Sequence, residues 1–309
     1  MKAFAFTVPE KKKIRVIVHT DCKNEADDQF ALAHHLMTQK FDVRGIVAGH
    51  FALNPSYGKE GSAKASYDEI NLILELMGLE GKHPVFLGSP LPIDDEMTPR
   101  PSEGAQFIID EAMREDERPL FVVFQGAITD LACAYLMQPL IAQKLTAVWI
   151  GGGEWPHGDG EFNLANDIKA ANVVFSSDIP LWQIPKNVYK QMAVSLAELQ
   201  VRVAPYGKIG EYLFRQMVEY NDQLADFGGD WPHGESWGLG DQGTVTVLLE
   251  EMQSSNFELK PAPRFADDMS YIHGQQAREI RVYHTLNARL TMEDFYAKLK
   301  ICFPECDSQ

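Results

Sequence analysis

Six short apolar runs alternate with segments of helical period through the first two thirds of the chain, and this alternation limits the possible folds more than any other feature. The runs lie near Ile14–Val18, Val43–Ala48, Val85–Leu87, Leu120–Phe124, Ala147–Ile150 and Leu181–Ile184. Between them Asp27–Gln39, Ser66–Met77, Glu103–Glu115, Thr129–Met137 and Asp167–Phe175 read as helices; in the first, Ala26, Phe30, Ala33 and Met37 fall on one face. The pattern predicts an α/β protein with a Rossmann-like, open, mostly parallel sheet and helices on both faces. After Pro185 it turns mainly helical. A long amphipathic helix is expected over Lys208–Gln223, and an apolar one over Asp241–Met252. Capping boxes stand at Ser195-Leu196-Ala197-Glu198 and at Thr291-Met292-Glu293-Asp294, the latter leading into Phe295–Leu299. No low-complexity linker or fold-scale repeat interrupts the 309 residues, which predicts one domain over 1–309.

The formal net charge of −16 argues against a nucleic-acid surface and offers no polybasic membrane patch. A metal, or a small neutral or cationic ligand, fits that charge better than a polyanion. The four cysteines, Cys22, Cys133, Cys302 and Cys306, have neither zinc spacing nor a redox Cys-x-x-Cys pair. The N-terminal segment lacks the long apolar core of a secretion signal, and no transmembrane run follows. A reduced, cytoplasmic protein is expected.

The first run ends in His19-Thr20-Asp21-Cys22-Lys23-Asn24-Glu25-Ala26-Asp27-Asp28, where a tight acidic loop passes into a helix. Loops at the carboxyl ends of parallel strands are where open α/β sheets bind ligands. Three Asp side chains converging there suit a hard cation such as Ca²⁺ or Mg²⁺. Asp27 and Asp28 equally suit the cap and dipole of the helix they open, so the loop alone leaves both readings open. Later strand ends follow the same logic. Gln125-Gly126-Ala127-Ile128-Thr129-Asp130 exposes carbonyls able to join a cation's shell, or is a plain turn with a helix cap. Gly151-Gly152-Gly153 leads to Glu161-Phe162-Asn163, where Glu161 and Asn163 suit sugar hydroxyls or plain solvation, and Asp241 opens a helix as cap or ligand. A phosphate loop, a His-Glu-x-x-His zinc helix and a Gly-x-Ser-x-Gly elbow are all missing.

Taken in order, Asp21…Asp27-Asp28, Gln125-Gly126-Ala127-Ile128-Thr129-Asp130, Gly151-Gly152-Gly153…Glu161-Phe162-Asn163…Asp167 and Gly240-Asp241 resemble the inosine–uridine-preferring nucleoside hydrolases over about residues 14–250. The tail, with Arg281-Val282-Tyr283 and Phe295-Tyr296-Ala297-Lys298-Leu299, is more similar to an outlying nucleoside hydrolase-like branch sometimes associated with carbohydrate metabolism. The resemblance implies one Ca²⁺ at the strand ends. It implies Asp21 as metal ligand and general base, Asp28 and Asp241 as further carboxylate ligands, and the Gln125 carbonyl as the neutral one. Asp27, Glu161 and Asn163 then match ribose-hydroxyl contacts. Oligomers are frequent in that family, so a homo-oligomer is compatible with it.

The chain also departs from the family pattern. His19 stands for the family's first acid, the acidic loop is two residues longer, and no clear match exists for a small-loop Asn ahead of Glu161. His50 stands for an Asn on the substrate side, and Gly240 for a His linked to leaving-group protonation. Trp155-Pro156-His157-Gly158 recurs as Trp231-Pro232-His233-Gly234. Either His157 or His233 could supply that proton, and Trp155 or Trp231 could stack on an aromatic leaving group. Both loops are equally readable as rigid lid turns with surface histidines. The expectation is a Ca²⁺-dependent N-ribosyl hydrolase of a nucleoside or related N-glycoside. Its rivals are a glycosidase for another small sugar conjugate and a metal- and sugar-binding protein without turnover.

Overall fold

The computed structural model describes residues 2–225, 234–250, 254–274 and 277–305. In chain order the strands are β1 (Ile14–Thr20), β2 (Phe41–Ala48), β3 (Val85–Leu87), β4 (Leu120–Phe124), β5 (Leu145–Ile150), β6 (Leu181–Ile184), β7 (Ala193–Ser195), β8 (Ser236–Gly238), β9 (Phe257–Pro261), β10 (Arg264–Phe265), β11 (Tyr271–Ile272) and β12 (Glu279–Tyr283). The helices are α1 (Asp28–Met37), α2 (Gly58–Leu76), α3 (Glu103–Met113), α4 (Thr129–Met137), α5 (Phe162–Asn166), α6 (Ile168–Ser176), α7 (Lys186–Tyr189), α8 (Leu196–Arg202), α9 (Gly207–Leu224), α10 (Gln242–Leu249) and α11 (Ala288–Cys302).

Eight strands form the central sheet in the order β3-β2-β1-β4-β5-β6-β12-β9, parallel except for β9, which runs antiparallel to β12 at the edge. The six apolar runs are its first six strands. Every residue of β1 is buried, as a strand covered on both faces must be. Its side chains alternate between two cores. Val16 and Val18 pack toward α1, α2, α9, α10 and α11, whereas Ile17 packs toward α3, α4 and α6. Strand order reverses between β1 and β4, so the crevice beyond their carboxyl ends is the topological switch point where such sheets bind ligands.

Two expectations need correction. The C-terminal helix starts a turn before the Thr291 box, because the Asn287 side chain accepts from the Leu290 N–H at 3.1 Å and caps it there. Thr291 lies inside the helix, with its hydroxyl on the Asn287 carbonyl and 2.7 Å from Thr246 Oγ1. The helix expected from Ser66 begins at Gly58. Ser195 does cap α8, accepting from the Glu198 N–H at 3.0 Å.

Behind the sheet ends, α1, α10 and α11 share a buried polar seam. His34 bonds Gln242 at 2.8 Å and Asp294 at 2.9 Å, and His35 Nε2 lies 3.1 Å from Thr244 Oγ1. Burial, with the neighbouring His34 and Lys298 charges, pushes His35 down to about 3. A folded pKa below the unfolded value near 6.5 means that the unfolded chain takes up the proton first as pH falls. The stability due to neutral His35 is therefore complete above about pH 6.5 and is lost progressively toward pH 3. His35→Gln removes this titration. Chemical denaturation at pH 7 and pH 5 is expected to show wild type losing about 2 kcal/mol relative to the variant over that interval. Equal losses in both proteins contradict the assignment.

Candidate active site

Loops after β1, β4, β5 and β6 and the turn before α10 enclose a cavity of about 320 Å³. Its floor is acidic. Asp21 follows β1, Asp27 and Asp28 open α1, and Asp241 precedes α10; all four are at most 7% exposed. One oxygen each from Asp27, Asp28 and Asp241 lies within 4.8 Å of the others. Neither Asp27 nor Asp241 caps its own helix through the side chain, so the plain capping reading of the sequence does not describe them. Instead Asp27 Oδ2 accepts from the Asp241 N–H at 3.3 Å, which joins the α1 and α10 termini.

Two features fix the approach of Asp21. Its carbonyl accepts from the N–H groups of Lys23 (2.6 Å) and Asn24 (2.9 Å), which makes a tight turn after the strand. Gly126 lies directly alongside, where a Cβ would come within 2.6 Å of the Asp21 Cγ, so only glycine permits this closeness. Asp21 Oδ2 is buried without a hydrogen-bond partner among the described residues. Asp28 is held by the Thr20 hydroxyl, which donates to its Oδ1.

The electrostatics of this floor are self-opposing. Burial, with the charge of Asp28 beside it, raises Asp27 to about 7; burial also raises Asp28 to about 6 against the Thr20 hydrogen bond. Asp21 and Asp241 are pushed well above the carboxylate range by burial first and then by neighbouring carboxylates, chiefly Asp28 for Asp21 and Asp27 for Asp241. Buried like charges of this kind require protons or a cation. An all-oxygen, carboxylate-rich donor set with one unpartnered buried oxygen fits a hard divalent cation.

The walls carry the other predicted residues, with some exceptions. Gln125 lines the cavity, and its carbonyl accepts from Asn163 Nδ2 at 3.2 Å; the same amide also donates to Ile150 O at 3.0 Å. Glu161 caps α5 and also meets the Tyr189 hydroxyl. His50 is brought elsewhere. It is buried and absent from the cavity lining, with Nε2 2.8 Å from Thr129 Oγ1, which donates to Asp167 Oδ2 at 2.8 Å. Trp155 also lies outside the lining, its indole donating to Gln183 Oε1 at 3.0 Å and packing edge-on against Tyr271. His157 is exposed beside it. Trp231 and His233 fall outside the described residues. No histidine is among the described residues that line the cavity.

Sequence reasoning missed part of the wall. Asn24 and Glu25 reach it from the loop after β1, Tyr189 and Lys190 from the segment after β6, and Trp237 from β8. The strand-end rule that found Asp21 and Gln125 also applies to the residues after β6, and was the available signal for Tyr189.

The carboxylate shifts set a pH dependence. In cation-free protein the folded pKa values of Asp27 and Asp28 lie above the reference 3.8. The folded state then holds more protons than the unfolded one from about pH 4 to 7, and its stability falls as pH rises through that window. A divalent cation replaces those protons. Ca²⁺ added to EDTA-stripped protein is expected to raise the Tm by about 5 °C or more at pH 8 and by much less at pH 5.5. Asp241→Asn should raise the cation-free Tm at pH 8 and abolish the response. A Tm indifferent to divalent cations at pH 8 defeats the cation-site reading.

Among the described residues no helix is long and apolar enough to cross a membrane. The profile of the inosine-uridine preferring nucleoside hydrolase family matches residues 16–294. The chain is 27% identical over 249 residues to the pyrimidine-specific ribonucleoside hydrolase RihB of Escherichia coli (strain SE11), covering 71% of this chain and 74% of that one. It is 24% identical over 260 residues to the pyrimidine-specific ribonucleoside hydrolase RihA of Salmonella typhimurium (strain LT2), covering 74% and 78%. Its fold is similar to that of an inosine-guanosine nucleoside hydrolase, with a TM-score of 0.72 at 15% identity over 93% of this chain and 99% of the other. The chain belongs to the inosine-uridine preferring nucleoside hydrolase family, and is a hydrolase of N-glycosidic bonds.

Proposed function

We propose that this hydrolase is a Ca²⁺-dependent nucleoside N-ribohydrolase that releases ribose and a free base. The observation that carries the reading is the buried convergence of Asp27, Asp28 and Asp241 on the cavity floor, beside the unpartnered Oδ2 of Asp21. Asp21, Asp28, Asp241 and the Gln125 carbonyl would hold the cation. When bound, it supplies Lewis-acid activation of a water and an anchor for sugar hydroxyls.

Asp21 Oδ2 accepts a proton from the attacking water. Asp27 and Asn163 orient the sugar hydroxyls, with Glu161 acting on that side through the groups it holds, which fixes the reacting carbon against the nucleophile. The C–N bond breaks with its electron pair going to the base, which takes up a proton, the water oxygen bonds to the anomeric carbon, and the carboxylates stabilise the positive charge that develops on the sugar ring. The half-buried Phe162 and the buried Trp237 offer apolar surface to a planar leaving group.

Glu25 favours a second reading, a glycosidase for another small sugar conjugate. This extra carboxyl lines the cavity, and burial with the charges of Asp27 and Asp28 keeps it well above its ordinary pKa. A protonated carboxyl beside a carboxylate base is the pairing that departure of a sugar alkoxide needs.

The test is release of reducing sugar from purine and pyrimidine ribonucleosides and from nitrophenyl glycosides, in Ca²⁺ or EDTA. Ribose release from nucleosides that EDTA abolishes is expected, with Asp21→Asn lowering kcat by about 10²–10⁴-fold. Release from the O-glycosides alone, dependent on Glu25, selects the second reading. Of the candidate proton donors, His157→Ala is expected to stay within about threefold of wild type because the side chain is exposed and off the wall. A large loss in that variant, matched against His233→Ala and Glu25→Gln, returns the role to His157.

A further inference from the structure

Protein donors already fill Glu161. Its Oε1 accepts from the Asn163 N–H at 3.1 Å and the Tyr189 hydroxyl at 3.0 Å; its Oε2 accepts from the N–H groups of Gly152 at 2.9 Å and Leu164 at 2.8 Å. A carboxylate offers about four lone-pair positions, so these bonds leave Glu161 none for a direct substrate contact.

The phenol has the opposite balance. Its one hydrogen is committed to Glu161, and among the described residues nothing donates to its oxygen, whose lone pairs remain open. Tyr189 itself lines the cavity. Its ring is fixed from the other side by Gly240, where a Cβ would come within 2.8 Å of the Tyr189 Cδ2. Gly240 is next to Asp241, so the phenol stands between the Glu161 wall and the acidic floor. The room that any side chain at position 240 would need is occupied by this ring.

We propose that Tyr189 is the substrate-contact residue of this wall and determines which sugars the cavity accepts. A sugar hydroxyl donates to the phenol oxygen, and the phenol donates to Glu161, whose charge polarises the O–H and strengthens the oxygen as an acceptor. Glu161 is then a positioning residue that acts through Tyr189. The inference rests on the N-ribohydrolase reading above and assigns its sugar specificity to a residue on α7.

Calorimetric titration in Ca²⁺ of D-ribose and its 2-, 3- and 5-deoxy forms, on wild type and Tyr189→Phe, tests it. The phenylalanine ring keeps the packing on Gly240, and the Tm of each protein controls for folding. Tyr189→Phe is expected to weaken ribose about three- to tenfold, the loss of one hydrogen bond. One deoxy sugar, lacking the hydroxyl in question, should bind both proteins equally. Equal ribose affinity in the two proteins overturns the proposal, as does the same loss across all four sugars or no sugar binding by wild type. Ribose release from nucleosides, assayed on the same preparations, separates the two readings. Release dependent on Asp21 with ribose binding indifferent to Tyr189 removes only Tyr189. Tyr189-sensitive binding with no release from any nucleoside removes only the N-ribohydrolase reading.

Discussion

The repulsion among buried carboxylates at the carboxyl ends of β1 and β4 is the constraint around which the rest of the molecule is organised. Asp27, Asp28 and Asp241 sit where the amino ends of α1 and α10 meet, so two helix dipoles direct positive ends at the cluster. The dipoles offset part of the repulsion, yet burial first, and neighbouring carboxylates for Asp27 and Asp241, still hold these groups above the ordinary carboxylate range. Such a cluster keeps its shape only if the helices cannot slide apart. The seam behind it supplies that: His34 joins α1 to Gln242 of α10 and Asp294 of α11, while Thr244 Oγ1 meets both His35 and the Gln125 amide at 3.1 Å. The polar seam is thus the mechanical support of the acidic floor.

A second buried chain of polar contacts supports the loops on the other side of the sheet ends. His19 Nε2 lies 2.8 Å from Asp130, which also accepts from the Ser89 N–H and the Ser102 hydroxyl. His50 reaches Asp167 through Thr129, and Asp167 in turn accepts from the N–H groups of Ile93 and Ala170. Two positions at which the sequence departs from the family pattern, His19 and His50, therefore act in the scaffold. Burial keeps His50 neutral, near a pKa of 4, as suits a fixed hydrogen-bonding member of a closed chain. A histidine read as a substrate contact from its place after a strand is in this case a strut between loops.

Much of the sheet was legible because strands buried on both faces become continuous apolar runs, and β1 to β6 are written that way. The edge strand β9 was not: Phe-Glu-Leu-Lys-Pro is largely exposed and has no continuous apolar run. The C-terminal helix was found but begun too late, since Thr291-Met292-Glu293-Asp294 imitates a cap within a helix that Asn287 had already started. In the site, Asp21, Asp27, Asp28 and Asp241 stood out as acids at strand and helix ends, but a helix cap explains three of them as well as a ligand does, and only their order along the chain favoured the ligand reading. Trp155 and Trp237 were not separable by sequence: both lie in Gly- and acid-rich stretches, yet Trp155 turns to Gln183 and Tyr271 while Trp237 lines the cavity. Direction within a loop is set by partners far away in the chain, and a linear pattern does not contain them.

The loop after β1 is held in place independently of the acidic floor. Distant elements hold this loop. Glu69 on α2 accepts from Lys23 at 2.9 Å, Gln29 at 3.2 Å and the Tyr212 hydroxyl. From α9, Gln216 donates to the Ala26 carbonyl at 2.7 Å and Tyr220 to the Asn24 carbonyl at 3.0 Å. These bonds fix Asn24 and Glu25 on the cavity wall from behind, with no contact to the floor carboxylates. Across the cavity, Tyr189 is fixed in the same manner by Glu161 and Gly240. Floor and rim thus have separate supports, the floor from helix termini and their buried seam, the rim from side chains of α2 and α9 and from Glu161 ahead of α5. Rim residues can therefore change while the residues that position the floor stay in place.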